Sequence, residues 1–124
     1  MSQHLSISIA LCTYNGERFL RKQLDSYIQQ TRLPDELVIC DDGSKDRTLE
    51  ILEEFAAKAP FSVRIYQNVQ NLGWSKNFEK AINLCTGDLI ALSDQDDEWL
   101  SHKLAKIEGF FVRGANTGYV LHNS

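Results

Sequence analysis

Short apolar, strand-like runs alternate along this chain with longer stretches whose apolar residues fall at helical spacing. Ser6 to Leu11 alternates and is rich in β-branched residues, which predicts a strand. Glu17 to Gln30 carries Phe19, Leu20, Leu24, Tyr27 and Ile28 at helical spacing, and Leu33-Pro34-Asp35 ends that helix. Glu36 to Cys40 reads as a second, buried strand, Asp41-Asp42-Gly43-Ser44 as a turn, and Asp46 to Lys58 as a helix with Leu49, Leu52, Phe55 and Ala56 inward. Ser62 to Gln67 predicts a third strand, Ser75 to Leu84 a helix, Leu89 to Leu92 a fourth strand and Trp99 to Phe111 a last helix. Gly118 to Leu121 begins one more strand. Such alternation gives an α/β fold: a mostly parallel, Rossmann-like sheet with helices on both faces, because right-handed crossovers pack that way. At 124 residues the chain fits one domain, 1–124, and can bury a real core.

In open sheets of this kind, ligands bind outside the carboxyl ends of the strands. Polar turns fall on that rim after the first, second and fourth strands: Thr13-Tyr14-Asn15-Gly16, Asp41 to Ser44, and Asp94-Gln95-Asp96-Asp97. Carboxylates packed as closely as Asp94, Asp96 and Asp97 repel one another and are costly to desolvate. A divalent cation offsets that cost, and oxygen-only ligands suit Mg²⁺ or Mn²⁺ rather than Zn²⁺. A solvated acidic turn capping the following helix accounts for the same residues without a ligand. At the end of the second strand, a carboxylate from Asp41 or Asp42 can accept a base N–H or a ribose hydroxyl. Capping of the next helix by Asp42 or Ser44 is the structural alternative, and the one expected for Ser44. Tyr14 is suited to stacking on a base or to packing. In Asn71-Leu72-Gly73-Trp74-Ser75-Lys76-Asn77-Phe78, Gly73 suggests close backbone approach, and Lys76 is a candidate to meet a phosphate.

Composition narrows the partners. The net charge of −4 and the lack of a basic patch argue against nucleic acid. No GxGxxG follows the first strand and no GxxxxGK[ST] occurs, which argues against dinucleotide and P-loop phosphate sites. No apolar run approaches the ~20 residues of a membrane span, and the N-terminus shows no signal-peptide pattern. Cys12, Cys40 and Cys85 are odd in number and set in apolar stretches, and read as reduced core residues of a cytoplasmic protein. His4, His102 and His122 show no ligand spacing.

Together these residues resemble the nucleotide-sugar-binding half of family 2 glycosyltransferases, which have the GT-A fold. The matching pieces are Ile9-Ala10-Leu11-Cys12-Thr13-Tyr14-Asn15-Gly16, Leu37-Val38-Ile39-Cys40-Asp41-Asp42-Gly43-Ser44-Lys45-Asp46, Asn71-Leu72-Gly73 with Asn77, and Gly87-Asp88-Leu89-Ile90-Ala91-Leu92-Ser93-Asp94-Gln95-Asp96-Asp97. Asn77-Phe78 paired with Ser93-Asp94-Gln95-Asp96-Asp97-Glu98-Trp99 is similar to bacterial members that build surface polysaccharides, rhamnosyltransferases among them. The resemblance implies a metal-dependent, inverting transfer of sugar from a UDP- or dTDP-sugar to a glycan or lipid-linked acceptor. Tyr14 and Asp42 would contact the uracil or thymine, with Thr13 and Lys76 also on the nucleotide. Asp94 would approach the ribose, and Asp96, with Asp94 and Asp97, would bind the Mn²⁺ or Mg²⁺ that bridges the diphosphate. In the family the general base and the acceptor region lie beyond the acidic motif. The base is therefore expected past Ser124, because Glu108 falls in the middle of the last helix. The chain is expected to be truncated before the acceptor half, to transfer sugar poorly or not at all alone, and to work in the cytoplasm, with peripheral attachment at the inner membrane face open to it.

Two other readings share the sheet. A Mg²⁺-binding, receiver-like module wants an acidic pair after the first strand and an Asp after the third, where this chain has Thr-Tyr-Asn and Gln-Asn. A nucleotidyltransferase wants a Gly-rich, basic loop after the first strand, and Thr13 to Arg18 supplies a single Gly and a single Arg.

Overall fold

A computed structural model describes residues 5–94, 98–114 and 120–121. Its elements run β1 (Ile7–Thr13), α1 (Glu17–Ile28), β2 (Glu36–Asp41), α2 (Thr48–Lys58), β3 (Ser62–Gln67), α3 (Trp74–Leu84), β4 (Leu89–Ser93), α4 (Lys103–Gly114) and β5 (Val120–Leu121). The strands form one sheet in the order β3-β2-β1-β4-β5, and every pairing is parallel. The chain builds outward from β1 through β2 to β3, then returns to place β4 on the other side of β1. The strand order therefore reverses between β1 and β4, where α/β sheets open a crevice for ligands. Register brings Thr13 opposite Asp41 and Leu11 opposite Ser93, so the polar ends of β1, β2 and β4 share one rim.

Alternation along β1 assigns its two faces. Ile7, Ile9 and Leu11 join Leu20, Leu24 and Tyr27 of α1, Ile51 and Leu52 of α2, and Trp99 and Leu104 in the larger core cluster. Ala10 and Cys12 join Cys40 with Phe78 and Ala81 of α3 in a smaller cluster on the opposite face. Helices thus cover both faces, as expected for the GT-A type. Trimming a fully buried core side chain such as Leu24 to alanine is expected to cost about 2–5 kcal/mol.

Several boundaries and faces differ from the sequence reading. Phe19 and Ile28 of α1 remain exposed, while Gln23, Ser26 and Gln30 are buried beside Leu20, Leu24 and Tyr27. In α2 the buried set is Thr48, Ile51 and Leu52, with Leu49 and Phe55 packed against the core's margin. Trp99 precedes α4 rather than starting it, and its ring packs edge-on against Tyr27 at 5.0 Å. An aromatic pair between a loop and α1 replaces the helical turn that periodicity suggests.

Candidate functional site

The turns after β1 and β2 are joined to each other before they present anything to a ligand. Asp41 is fully buried. Its Oδ1 accepts the hydroxyls of Thr13 (2.7 Å) and Ser44 (2.6 Å), and its Oδ2 accepts the amides of Gly43 (3.2 Å) and Ser44 (2.8 Å). Gly43, at φ +92°, allows the chain to fold back onto that carboxylate. Asn15 donates its amide to Ser44 Oγ (2.8 Å) and accepts the Lys45 amide on its side-chain oxygen (2.8 Å). The expected capping of α2 by Asp42 or Ser44 is not found. Asp46 instead accepts the amide (2.9 Å) and hydroxyl (2.6 Å) of Thr48, whose Oγ1 takes the Gly16 amide (2.9 Å). Ser44 thus ties one turn to the other. Thr13 reaches the site with its hydroxyl already committed to Asp41.

Asp42 organises the third loop. Its Oδ1 accepts Asn68 Nδ2 (2.8 Å) and the Leu72 amide (2.7 Å), and its Oδ2 accepts the Gly73 amide (2.9 Å). Burial pushes the Asp42 carboxyl up, but those N–H donors and the Lys80 charge outweigh it and hold the group below the usual carboxylate value. Behind it lies a chain of amides. Asn68 Nδ2 also donates to Asn77 Oδ1 (2.8 Å), Asn77 Nδ2 to the Cys40 carbonyl (2.9 Å), and Lys80 Nζ to Asn68 Oδ1 (2.6 Å). Gly73, at φ +88°, delivers its amide to Asp42 and starts α3.

Between these loops and the end of β4 lies a cavity of about 580 Å³. Thr13 and Tyr14 line it from the first turn, Asp42 from the second, Asn71 and Gly73 from the third loop, and Asp94 from the end of β4. Trp74, Asn77 and Phe78 complete one wall and Cys12 the floor. Tyr14 and Trp74 are exposed aromatics, 46 % and 64 % accessible, of the kind that stack on planar ligands. Trp74 packs edge-on against Phe78 at 5.3 Å, and its indole Nε1 donates to Asp94 Oδ1 at 3.2 Å across the mouth. Burial, followed by neighbouring Cys40 and Asp42, raises the Cys12 thiol far above its ordinary value, which makes it an inert floor rather than a nucleophile.

Tyr14, Asp42, Asp94 and Thr13 therefore converge as the sequence suggested, and Lys76 does not. Trp74, Asn77 and Phe78, at i, i+3 and i+4, look into the cavity, whereas Lys76 at i+2 lies on another side of α3. There it borders a separate depression with Leu72, Glu79 and Lys80. Asp96 and Asp97 lie outside the described residues. Among the described residues no group of three or more His, Cys, Asp or Glu side chains is arranged to hold a metal. Glu108, already unsuited as a base by its position, is ion-paired with Arg32 at 2.9 Å. His102 is exposed, with Nδ1 3.4 Å from the Thr31 hydroxyl. The sequence reading missed Trp74 and Phe78 as lining residues. Their signal was the spacing 74, 77, 78 directly after the glycine that opens α3.

Comparisons with known proteins identify the family and the fold. The profile of glycosyl transferase family 2 matches residues 8–122. An uncharacterized glycosyltransferase, alr2836 of Nostoc sp., is 32 % identical over 119 residues, covering 95 % of this chain and 36 % of the relative. The dTDP-rhamnosyl transferase RfbG of Shigella flexneri is 40 % identical over 98 residues, covering 76 % of this chain and 34 % of the relative. Among solved structures, S. aureus TarS in complex with UDP superposes with a TM-score of 0.80 at 27 % identity, covering 88 % of this chain and 32 % of that one. The chain thus spans about a third of the length of these relatives.

Proposed function

The chain belongs to glycosyl transferase family 2, and on that premise we propose that it forms the donor-binding part of an enzyme that transfers sugar from a UDP- or dTDP-sugar to a glycan or lipid-linked acceptor. The observation that carries this reading is the convergence of Tyr14, Asp42, Trp74 and Asp94 on one cavity beside the point where strand order reverses. The pyrimidine stacks on Tyr14, and its imide N–H donates to Asp42, which the surrounding amides keep ionised. Asp94 takes a ribose hydroxyl or a cation in place of the Trp74 N–H. The choice between uracil and thymine nucleotides rests on relatives of both kinds, since TarS is solved with UDP and RfbG is named for dTDP-rhamnose.

The donor set suits a hard divalent cation. Asp94 presents a carboxylate oxygen at the cavity mouth, and Asp96 and Asp97 follow it in sequence. Held by these residues, Mn²⁺ or Mg²⁺ would supply Lewis-acid stabilisation to the departing diphosphate. The chain's own residues seat the base, orient the ribose and keep the anomeric carbon over the end of β4. Inversion by direct displacement also needs a carboxylate to take the acceptor hydroxyl's proton. We assign that base to the part of the family's length outside this chain. No helix among the described residues is long and apolar enough to cross a membrane, and the reading places the reaction in the cytoplasm or at the inner membrane face.

Calorimetric titration tests the reading, with UDP, dTDP and ADP each run with and without Mn²⁺. The expected result is that a pyrimidine diphosphate binds more tightly with the metal, that ADP binds at least tenfold more weakly, and that Asp42→Asn removes most of the preference. Equal binding of ADP and the pyrimidine nucleotides, or binding indifferent to Asp42→Asn, would sink it.

A further inference from the structure

The side of α1 that faces the core carries polar groups where apolar ones would serve packing better. Gln23 is 1 % exposed and Tyr27 0 %, four residues apart on one side of α1, and Gln30, just past its end, is 4 % exposed. A buried amide is costly unless its hydrogen bonds are made. Gln23 hydrogen-bonds to the end of β4. Its Nε2 donates to the backbone carbonyl of Asp94 and, at 3.2 Å, to Ser93 Oγ. The Tyr27 hydroxyl shares a 2.6 Å hydrogen bond with the same Ser93 Oγ. Ser93 is itself fully buried, so the backbone entering Asp94 is held on its core side by two side chains of α1. One turn further on, Gln30 donates to the Leu100 carbonyl at 2.8 Å and accepts the Leu104 amide at 3.0 Å, which anchors the chain again where it leaves this region.

We propose that Gln23, assisted by Tyr27, is a positioning residue for the nucleotide site. It fixes the Asp94 peptide so that the Asp94 carboxylate stands at the cavity before a ligand arrives. The inference rests on the donor-binding reading of Asp94 given above. Loops gain affinity when their bound geometry is set in advance, because less ordering remains to be done on binding. A helix packed into the core supplies that rigidity better than the loop can by itself. Leu20 and Leu24 on the same helix pack the core without a polar group.

Gln23→Met keeps the length and volume of the side chain and removes both donors. Tyr27→Phe keeps the ring against Trp99 and removes only the hydroxyl. Lys22→Ala, at an exposed position of the same helix, serves as the control. Affinity for UDP and dTDP with Mn²⁺ is measured by calorimetry on each variant, together with its thermal midpoint. The expected outcome is a roughly tenfold loss of nucleotide affinity for Gln23→Met, a smaller loss for Tyr27→Phe and none for Lys22→Ala. A merely structural role would lower the thermal midpoint and leave the affinity of the folded protein as it was, and that result overturns the proposal. Should Gln23→Met fail to fold, unchanged affinity in Tyr27→Phe overturns it instead. If the unmodified protein binds neither nucleotide, the donor reading itself fails and this inference falls with it.

Discussion

The two ends of the sheet are both rich in buried polar groups, and they handle carboxylates in opposite ways. At the amino end Glu36 accepts the Ser8 hydroxyl at 2.6 Å and the Thr86 amide at 2.6 Å, and pairs with Arg64 at 2.7 Å. Burial raises the Glu36 carboxyl, and these partners more than reverse it, so it titrates below its ordinary value. Nearby, Asp35 takes the Ile7 amide at 2.7 Å and the Arg32 guanidinium at 3.0 Å, and Asp88 takes the Ser6 amide at 3.0 Å. Gly87 lets these strands close up, since a Cβ there would sit 2.6 Å from Ser8 Oγ. At the carboxyl end Asp41 is likewise buried, its oxygens taken by hydroxyls and amides. Asp42 is held by N–H groups too but faces a cavity, and Asp94 stands at the mouth with an indole N–H on one oxygen. At the amino end Glu36 and Asp35 pair with the guanidinium groups of Arg64 and Arg32, and the carboxyl end keeps the negative charge of Asp42 and Asp94 beside open space. That difference separates carboxylates that hold the fold from carboxylates able to hold a ligand.

Breaking the amino-end clasp is expected to have the largest effect. Glu36→Ala removes the carboxylate that Arg64, Ser8 and the Thr86 amide share and should cost about 3 kcal/mol of stability, read as a lower urea midpoint. Nucleotide affinity of the protein that remains folded should not change. At the carboxyl end the order reverses. Asp94→Ala should reduce metal-dependent nucleotide affinity tenfold or more, about 1.4 kcal/mol, with an unchanged or slightly raised thermal midpoint. A large loss of stability in Asp94→Ala would erase the distinction between the two ends.

Acid titration sharpens the comparison. The folded-state values of Asp42 and Glu36 lie below their unfolded ones, so the unfolded chain binds more protons. Their contribution is therefore complete above the ordinary carboxylate range and is lost as pH falls through the depressed folded values. Stability measured from pH 6 downward should decline from about pH 4. In Asp42→Asn that decline should be shallower, and nucleotide binding should already be weak at pH 7. The smallest expected effect belongs to Trp74→Phe. It keeps a ring against Phe78 but removes the N–H to Asp94, and should change nucleotide affinity by about threefold, read by calorimetry.

Much of the fold was legible from periodicity, because apolar side chains must be buried and their spacing reports the element that buries them. The order of strands and helices, the parallel sheet and the clustering of polar turns on one rim all follow from that pattern. Periodicity reports little about polar residues that are buried because something specific awaits them. Gln23 interrupts the apolar stripe of α1 and Gln30 lies just past its end, and only the fold shows that Ser93, Asp94 and Leu100 are their partners. Asp41 and Asp42 are adjacent and chemically identical in the sequence. Their separate roles arise from register, which sets Asp41 against Thr13 and turns Asp42 toward the loop at 68–73. Lys76 looked suited to a phosphate by charge alone, and the helical turn carried it to another side of α3.

A crystal structure of the protein with UDP or dTDP and Mn²⁺, the metal located by its anomalous scattering, tests whether this rim holds the donor. The base is expected against Tyr14 and Asp42, the Trp74 indole displaced from Asp94, and the anomalous peak within coordination distance of the Asp94, Asp96 or Asp97 carboxylates. Nucleotide density elsewhere, such as the groove between α1 and α2, or a peak away from all three carboxylates, would contradict it.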